Sequence, residues 1–91
     1  MKKLSIIRFK PKPDHFNDFV ENIRSYHAET NTVGYLMKTD DEVFAVIIRD
    51  SDTLDDDAQR GVQWLDRQRP LLQEFNEVDR HTIPITGDLV V

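Results

Sequence analysis

Three histidines, His15, His27 and His81, carry the side chains here whose pKa suits taking or giving a proton near neutral pH. No spacing ties any two of them together, and neither HxH nor HExxH occurs, so no histidine pattern points to haem or a metal. His27 and His81 stand as single candidate general bases, or equally as ordinary surface or satisfied histidines; His15 falls in the first turn of a helix and is expected to be solvated. Trp64 is the sole tryptophan. It shares a helical edge with Gln68 and Leu71, where it either walls a pocket and stacks on an aromatic ligand or seals the helix against a sheet. Tyr26 neighbours His27 at the end of an apolar helical stripe and offers a second aromatic wall. Arg8 with Lys10 and Lys12, and Arg67 with Arg69, are cation sets that either hold a carboxylate or phosphate or are solvated surface charge. The candidate site is thus His27 and His81 as proton acceptors, with Trp64, Tyr26, Gln68 and Arg8 in substrate binding.

Five aspartates fall between Asp50 and Asp57. They lack the alternate acids and central glycine of an EF-hand loop and are explained by helix capping, so no metal site is expected. The chain has no cysteine, which removes disulfides and thiolate chemistry and suits a reducing cytoplasm. A net charge of −5, from 17 acidic against 12 basic residues, argues against general nucleic-acid binding. Arg8, Lys10 and Lys12 interrupt the N-terminal apolar residues before a signal sequence forms, and no apolar run approaches bilayer length. A cytoplasmic protein without membrane contact is expected.

These side chains need a scaffold, and its organising stretch is Val43-Phe44-Ala45-Val46-Ile47-Ile48. This run of six apolar residues is bounded by polar clusters, and a strand apolar on both faces belongs at the centre of a covered sheet. Leu4 to Lys10 reads as a second such strand, with Leu4, Ile6 and Arg8 on one face and Ser5, Ile7 and Phe9 on the other, ended by Pro11 and Pro13. Phe16, Phe19, Val20, Ile23 and Tyr26 or His27 recur at steps of three and four, which predicts a helix from about Asp14, as N-cap, to Ala28. Val33 to Lys38 and Val43 to Arg49 flank a polar turn and predict an antiparallel hairpin. A second helix is expected from a cap at Asp52 or Thr53, with Leu54, Ala58, Gly61 or Val62, and Leu65 as its buried stripe. Pro70 should make it kink or restart around Arg67–Arg69, with a short segment continuing through Leu71, Leu72 and Phe75. A last strand from His81 to Thr86 contains Pro84, and Gly87 is expected to break it before the apolar tail.

The βαββαβ order over a single 91-residue domain predicts an α+β, ferredoxin-like fold: a four-stranded antiparallel sheet with two helices on one face. The two doubly apolar strands would be central, and the strands holding Gly34 and Pro84 would be edges. A chain this short buries roughly 60–65% of the surface of its unfolded form, so partners are plausible. One helical layer also leaves the other sheet face bare, and a patch that large predicts a homodimer through this face, with Leu89-Val90-Val91 reaching across. Alternation leaves open which face meets the helices.

Phe9-Lys10-Pro11 closing the first strand, the Phe16-x-x-Phe19 helix, the Phe44–Ile48 strand followed by Asp50-Ser51-Asp52, and Arg69-Pro70-Leu71-Leu72-Gln73-Glu74-Phe75 after the second helix resemble the dimeric α+β barrel superfamily, in particular antibiotic-biosynthesis-monooxygenase-like domains. The resemblance spans nearly the whole chain and rests on fold motifs. It implies two sheets facing each other and a pocket between sheet and helices in each protomer. It also implies chemistry among cofactor-free oxygenases, isomerases, haem-degrading enzymes and domains without a known reaction. Positions around Gly61 and Leu71, where a histidine is frequent in that family, carry none, and Arg49 stands where tryptophan often ends the third strand. The functional expectation is a small-molecule-binding homodimer, acting without a bound cofactor as a monooxygenase or isomerase on an aromatic or polyketide-like substrate. The alternative is a non-catalytic ligand-binding or dimerisation module.

Overall fold

The computed structural model of this chain describes residues 2–50, 52, 54–78 and 80–90, excluding the side chains of Leu54, Asp55 and Asp57. Strand β1 (Lys2–Phe9), helix α1 (Phe16–Glu29), strands β2 (Val33–Lys38) and β3 (Val43–Asp50), helix α2 (Leu54–Gln68) and strand β4 (Thr82–Asp88) follow in that order. The antiparallel sheet runs β2-β3-β1-β4, which is the ferredoxin-like arrangement. The doubly apolar strands β1 and β3 are central, and the strands with Gly34 and Pro84 are the edges. Pro84 lacks a donor and is tolerated because β4 has a free side.

Register sorts the side chains into two faces. Ser5 lies opposite Ile47 and Thr86, Ile7 opposite Ala45 and Pro84, and Phe9 opposite Val43 and Thr82. This is the face that the helices cover. Its core comprises Phe9, Val43, Ala45 and Ile47 from the sheet, Phe19 and Ile23 from α1, Trp64 from α2, and Leu72. Phe9, Phe19 and Trp64 meet as an aromatic triangle with ring centroids 5.0, 5.9 and 6.3 Å apart. Leu4, Ile6, Phe44, Val46 and Ile48 point to the opposite face, with Val33, Tyr35 and Met37 of β2 and Ile83 and Ile85 of β4.

Several local expectations change. Asp14 does not cap α1: Pro13 opens a 3-10 turn, Pro13–His15, and α1 starts behind it at Phe16 with His15 as N-cap and no side-chain cap bond. Proline's fixed φ favours that first turn and places Asp14 inside it. Gly87 does not break β4; it pairs with Leu4, and Leu89 N–H donates to Lys2 O at 3.1 Å, so the ladder to β1 outweighs the local propensity of glycine. The tail thus begins by continuing β4 along its own sheet as far as Leu89, and Val91 lies outside the described residues.

Of the two outcomes expected at Pro70, a kink or a restart, the chain takes the second: α2 stops at Gln68. A single 3-10 turn, Arg69–Leu71, follows, and Leu72 is already extended and bridged to Pro11. The second helix is also rotated from its expected stripe: Trp64 and Gln68 are buried and Leu65 half-buried, whereas Ala58 and Val62 are exposed. The indole offers the largest apolar area on this helix, so turning it inward gains most. The cap expected at Asp52 or Thr53 involves Thr53, outside the described residues. No helix among the described residues is long and apolar enough to cross a membrane.

Candidate functional site

Between the covered sheet face and the two helices lies a cleft of about 590 Å³. Its floor combines Ile7, Phe9 and Ile47 with several smaller residues. Ser5, Ala45, Thr82, Pro84 and Thr86 line it where larger side chains would reach the helices, and Ser5 Oγ and Thr86 Oγ1 satisfy each other at 2.8 Å across β1 and β4. Helix α2 roofs it through Ala58, Gly61, Val62 and Trp64. A Cβ built at Gly61 would meet nothing within 4 Å, so this part of the helix stands clear of the sheet. The exposure of Ala58 and Val62 has the same cause: they face the opening.

The wall comes from the last turn of α1. Tyr26 stacks on Trp64 with centroids 4.8 Å apart and planes 20° from parallel. His27 follows it into the lining. Its position is held by the end of the helix, where Asn31 adopts φ 52°. Asn31 N–H donates to Ala28 O at 3.3 Å and Thr32 N–H donates to His27 O at 2.9 Å, a pairing that terminates α1 and satisfies its last carbonyls. Asparagine tolerates the left-handed conformation this turn needs.

Arg49 completes the end of the cleft. It continues the covered face of β3 after Val43, Ala45 and Ile47, and it lines the cleft with His27. Its Nε atom is buried and has no hydrogen-bond partner among the described residues. Burial lowers the His27 pKa, and the Arg49 charge lowers it further. His27 therefore faces the cleft as a neutral imidazole at pH 7, able to accept a proton. Asp50 borders the same end, and its carboxylate is paired with Lys2 at 2.6 Å; that bond and the Lys2 charge hold its pKa below the usual value.

Of the site residues read from sequence, the fold gathers Tyr26, His27 and Trp64 around one cleft. Gln68 is buried beside them in α2 and ties the helices together by accepting from Asn22 Nδ2 at 2.8 Å. His81 lies apart, outside that lining. Arg69 Nη1 donates to its Nδ1 at 2.9 Å, which leaves the ring proton on Nε2, 3.9 Å from a Glu74 oxygen. Burial first, and then the Arg69 charge, lower its pKa. Arg8 is on the other side of the sheet, bonded to Glu42 at 2.9 Å and lying over the rings of Phe44 and Phe75.

Arg49 was not among the site residues read from sequence. Its signal is visible in retrospect: a charged residue in phase with Val43, Ala45 and Ile47 on a strand that must be covered. That phase is informative only once the covered face is known. Among the described residues, no group of three or more histidine or carboxylate side chains gathers closely enough to hold a metal ion. The aspartate-rich segment before and within α2 includes Ser51, Thr53 and the side chains of Asp55 and Asp57, which lie outside the described residues. No protein-family model matches the sequence, and no curated protein matches it either.

Proposed function

We propose that this protein is a homodimer that binds a small, flat, largely apolar molecule between its sheet and its helices. The observation that carries this reading is the cleft of about 590 Å³, walled by the stacked Tyr26 and Trp64 rings and floored by the sheet. That volume lies in the range of pockets for ligands of drug-like size, and stacked aromatic walls favour aromatic or polyketide-like molecules. Homodimerisation is supported by the bare sheet face. Val33, Tyr35, Met37 and Ile85 there are 63%, 74%, 53% and 63% exposed, beside Leu4, Ile6, Val46 and Ile48. The charges on this face are paired, Lys2 with Asp50 and Arg8 with Glu42, which lowers the cost of covering it. A second copy offers the same apolar surface and closes the assembly by two-fold symmetry.

The chemistry that fits is that of the dimeric α+β barrel superfamily which the chain resembles: cofactor-independent oxygenation or isomerisation. His27 would accept a proton from an activated C–H or O–H of the ligand, whose electron pair stays on the ligand as an enolate or phenolate. A second, non-catalytic reading is favoured by one feature: His81 lies outside the cleft, bound to Arg69, so no second imidazole joins His27 there.

Trp64 is the only tryptophan, so its emission reports on the cleft alone. Small aromatic and polyketide-like compounds that raise the melting temperature should also change that emission, and Tyr26→Ala should weaken both effects. If no compound moves either signal, the ligand-binding reading is lost. Turnover abolished in His27→Asn with binding retained separates an enzyme from a binding module.

A further inference from the structure

We propose that Thr86 is the hydrogen-bond donor by which the cleft selects its ligand, that Ser5 is the positioning residue behind it, and that the ligand's ring system carries a carbonyl oxygen. The inference rests on the cleft reading and adds the polar group that the cleft recognises.

Ser5 and Thr86 stand opposite each other on β1 and β4, on the sheet face that the helices cover. Their hydroxyl oxygens are 2.8 Å apart. Two hydroxyls bring two protons, and one bond between them uses only one. It is also the one side-chain hydrogen bond that either residue makes among the described residues. The two ends are not equivalent. Ser5 is 2% exposed, whereas Thr86, on an edge strand, is exposed. Were Thr86 the donor, the Ser5 proton would be left without an acceptor in the interior, which is the less stable arrangement. Ser5 therefore donates and Thr86 accepts, and the proton left over is on Thr86.

Thr86 lines the cleft, so this proton is offered there. Threonine is stiff at χ1, and the bond from Ser5 holds its hydroxyl in one setting. Accepting that bond also polarises the Thr86 O–H and strengthens it as a donor. Thr82 and Pro84, its neighbours on the same face of β4, line the cleft without bonding to it. A solvent-facing hydroxyl gives its proton to water, and a ligand that displaces that water keeps the bond only if it brings an acceptor. A planar ring lies against the Tyr26–Trp64 wall, and a carbonyl on that ring supplies the acceptor at the floor. A plain hydrocarbon ring loses the bond.

Two probes with the same fused rings test this: 1-tetralone, and tetralin, which lacks the carbonyl. Each is titrated into the full chain and followed by the Trp64 indole N–H and Thr86 amide resonances in NMR, both of which should shift with tetralone. Thr86→Val keeps the shape and removes the hydroxyl. It should weaken tetralone about threefold to tenfold, the effect of one neutral hydrogen bond, and leave tetralin unchanged. Thr86→Ser should restore the tetralone affinity, and Ser5→Ala should weaken it by less than Thr86→Val, since the donor remains but loses its setting. Melting temperatures of the free variants read the direction of the bond. Thr86→Val strands the buried Ser5 proton and should fall further than Ser5→Ala, and Ser5→Ala combined with Thr86→Val should recover part of that fall. Tetralone affinity unchanged in Thr86→Val, or both probes weakened alike, would overturn the donor role and make the pair a cross-strand contact only. A larger fall in Ser5→Ala than in Thr86→Val would reverse the bond and sink the proposal as well. If tetralone does not bind while other ring compounds change Trp64 emission, the carbonyl assignment fails and the cleft reading stands; if no compound changes it, both fail.

Discussion

On the helix side of the sheet, β1 presents Ser5, Ile7 and Phe9, β2 presents Gly34 and Leu36, and β4 presents Thr82, Pro84 and Thr86. On the other side, the same strands present Leu4 and Ile6, then Val33, Tyr35 and Met37, then Ile83 and Ile85. The second set has on average the larger side chains and is more uniformly apolar, yet the helices cover the first. Small side chains let two helices approach while leaving room for a cavity; large branched ones make a broad surface that flat partners can cover. Hydrophobicity alone does not say which face becomes the core. Volume decides it, because a covered face must fit its cover at crystal-like density.

The contrast breaks most sharply at Phe19, which is fully buried on α1 against the covered face. Phe19→Ala should cost about 3–5 kcal/mol, enough to unfold much of a domain this size. A stability loss of less than about 1 kcal/mol by urea denaturation would mean that the helix side is not the principal core. Gly34 tests the close fit within the sheet. A Cβ there would run into the Val46 carbonyl oxygen and come within 2.9 Å of Ile47 Cα. Gly34→Ala should therefore lose about 1–3 kcal/mol by overpacking, measured by the same denaturation. An unchanged midpoint would show that β2 shifts freely along its edge.

On the open face the expectation reverses. Ile85 is 63% exposed in the single chain, so Ile85→Lys should change the stability of a dilute monomer by no more than about 0.5 kcal/mol. The same substitution should split the proposed dimer, which light scattering at low micromolar concentration would show as a halved mass. A monomeric wild type would remove the dimer and leave the open face without the cover assigned to it.

The smallest effect is in pH. Folding lowers the pKa of both His27 and His81 from 6.5, chiefly by burial. Just below that value the unfolded chain binds more protons than the folded one, so stability rises with pH through this window. The contribution is complete above about pH 6.5 and is lost as the solution is acidified through the folded-state values. Thermal melts across this range should show a slope that His27→Asn and His81→Asn each flatten. A slope unchanged in both variants would show that neither ring is desolvated on folding.

Much of this was legible beforehand. The β-branched run at Val43–Ile48 and the proline and glycine of the outer strands placed β3 and β1 at the centre. The three-four spacing of Phe16, Phe19 and Ile23 located α1. Less legible were the features that depend on an element's rotation or on a distant neighbour. The α2 stripe misplaced Ala58 and Val62, because the inward turn of Trp64 outweighs a stripe of smaller residues. Asp14 looked like a cap until Pro13 moved the helix start past it. His81 was one of two candidate bases, and its bond to Arg69, twelve residues earlier, lies outside the cleft.

What the chain determined by itself is therefore the order of its elements and which strands are central. Those follow from local periodicity and from residues that cannot donate, bend or pack in certain places. Which sheet face the helices choose, how α2 turns, and how Arg49 comes to line one cleft with His27 were decided only in the folded molecule. Each depends on volumes and charges brought together from segments far apart in sequence, and alternation along one strand carries no information about what will stand opposite it.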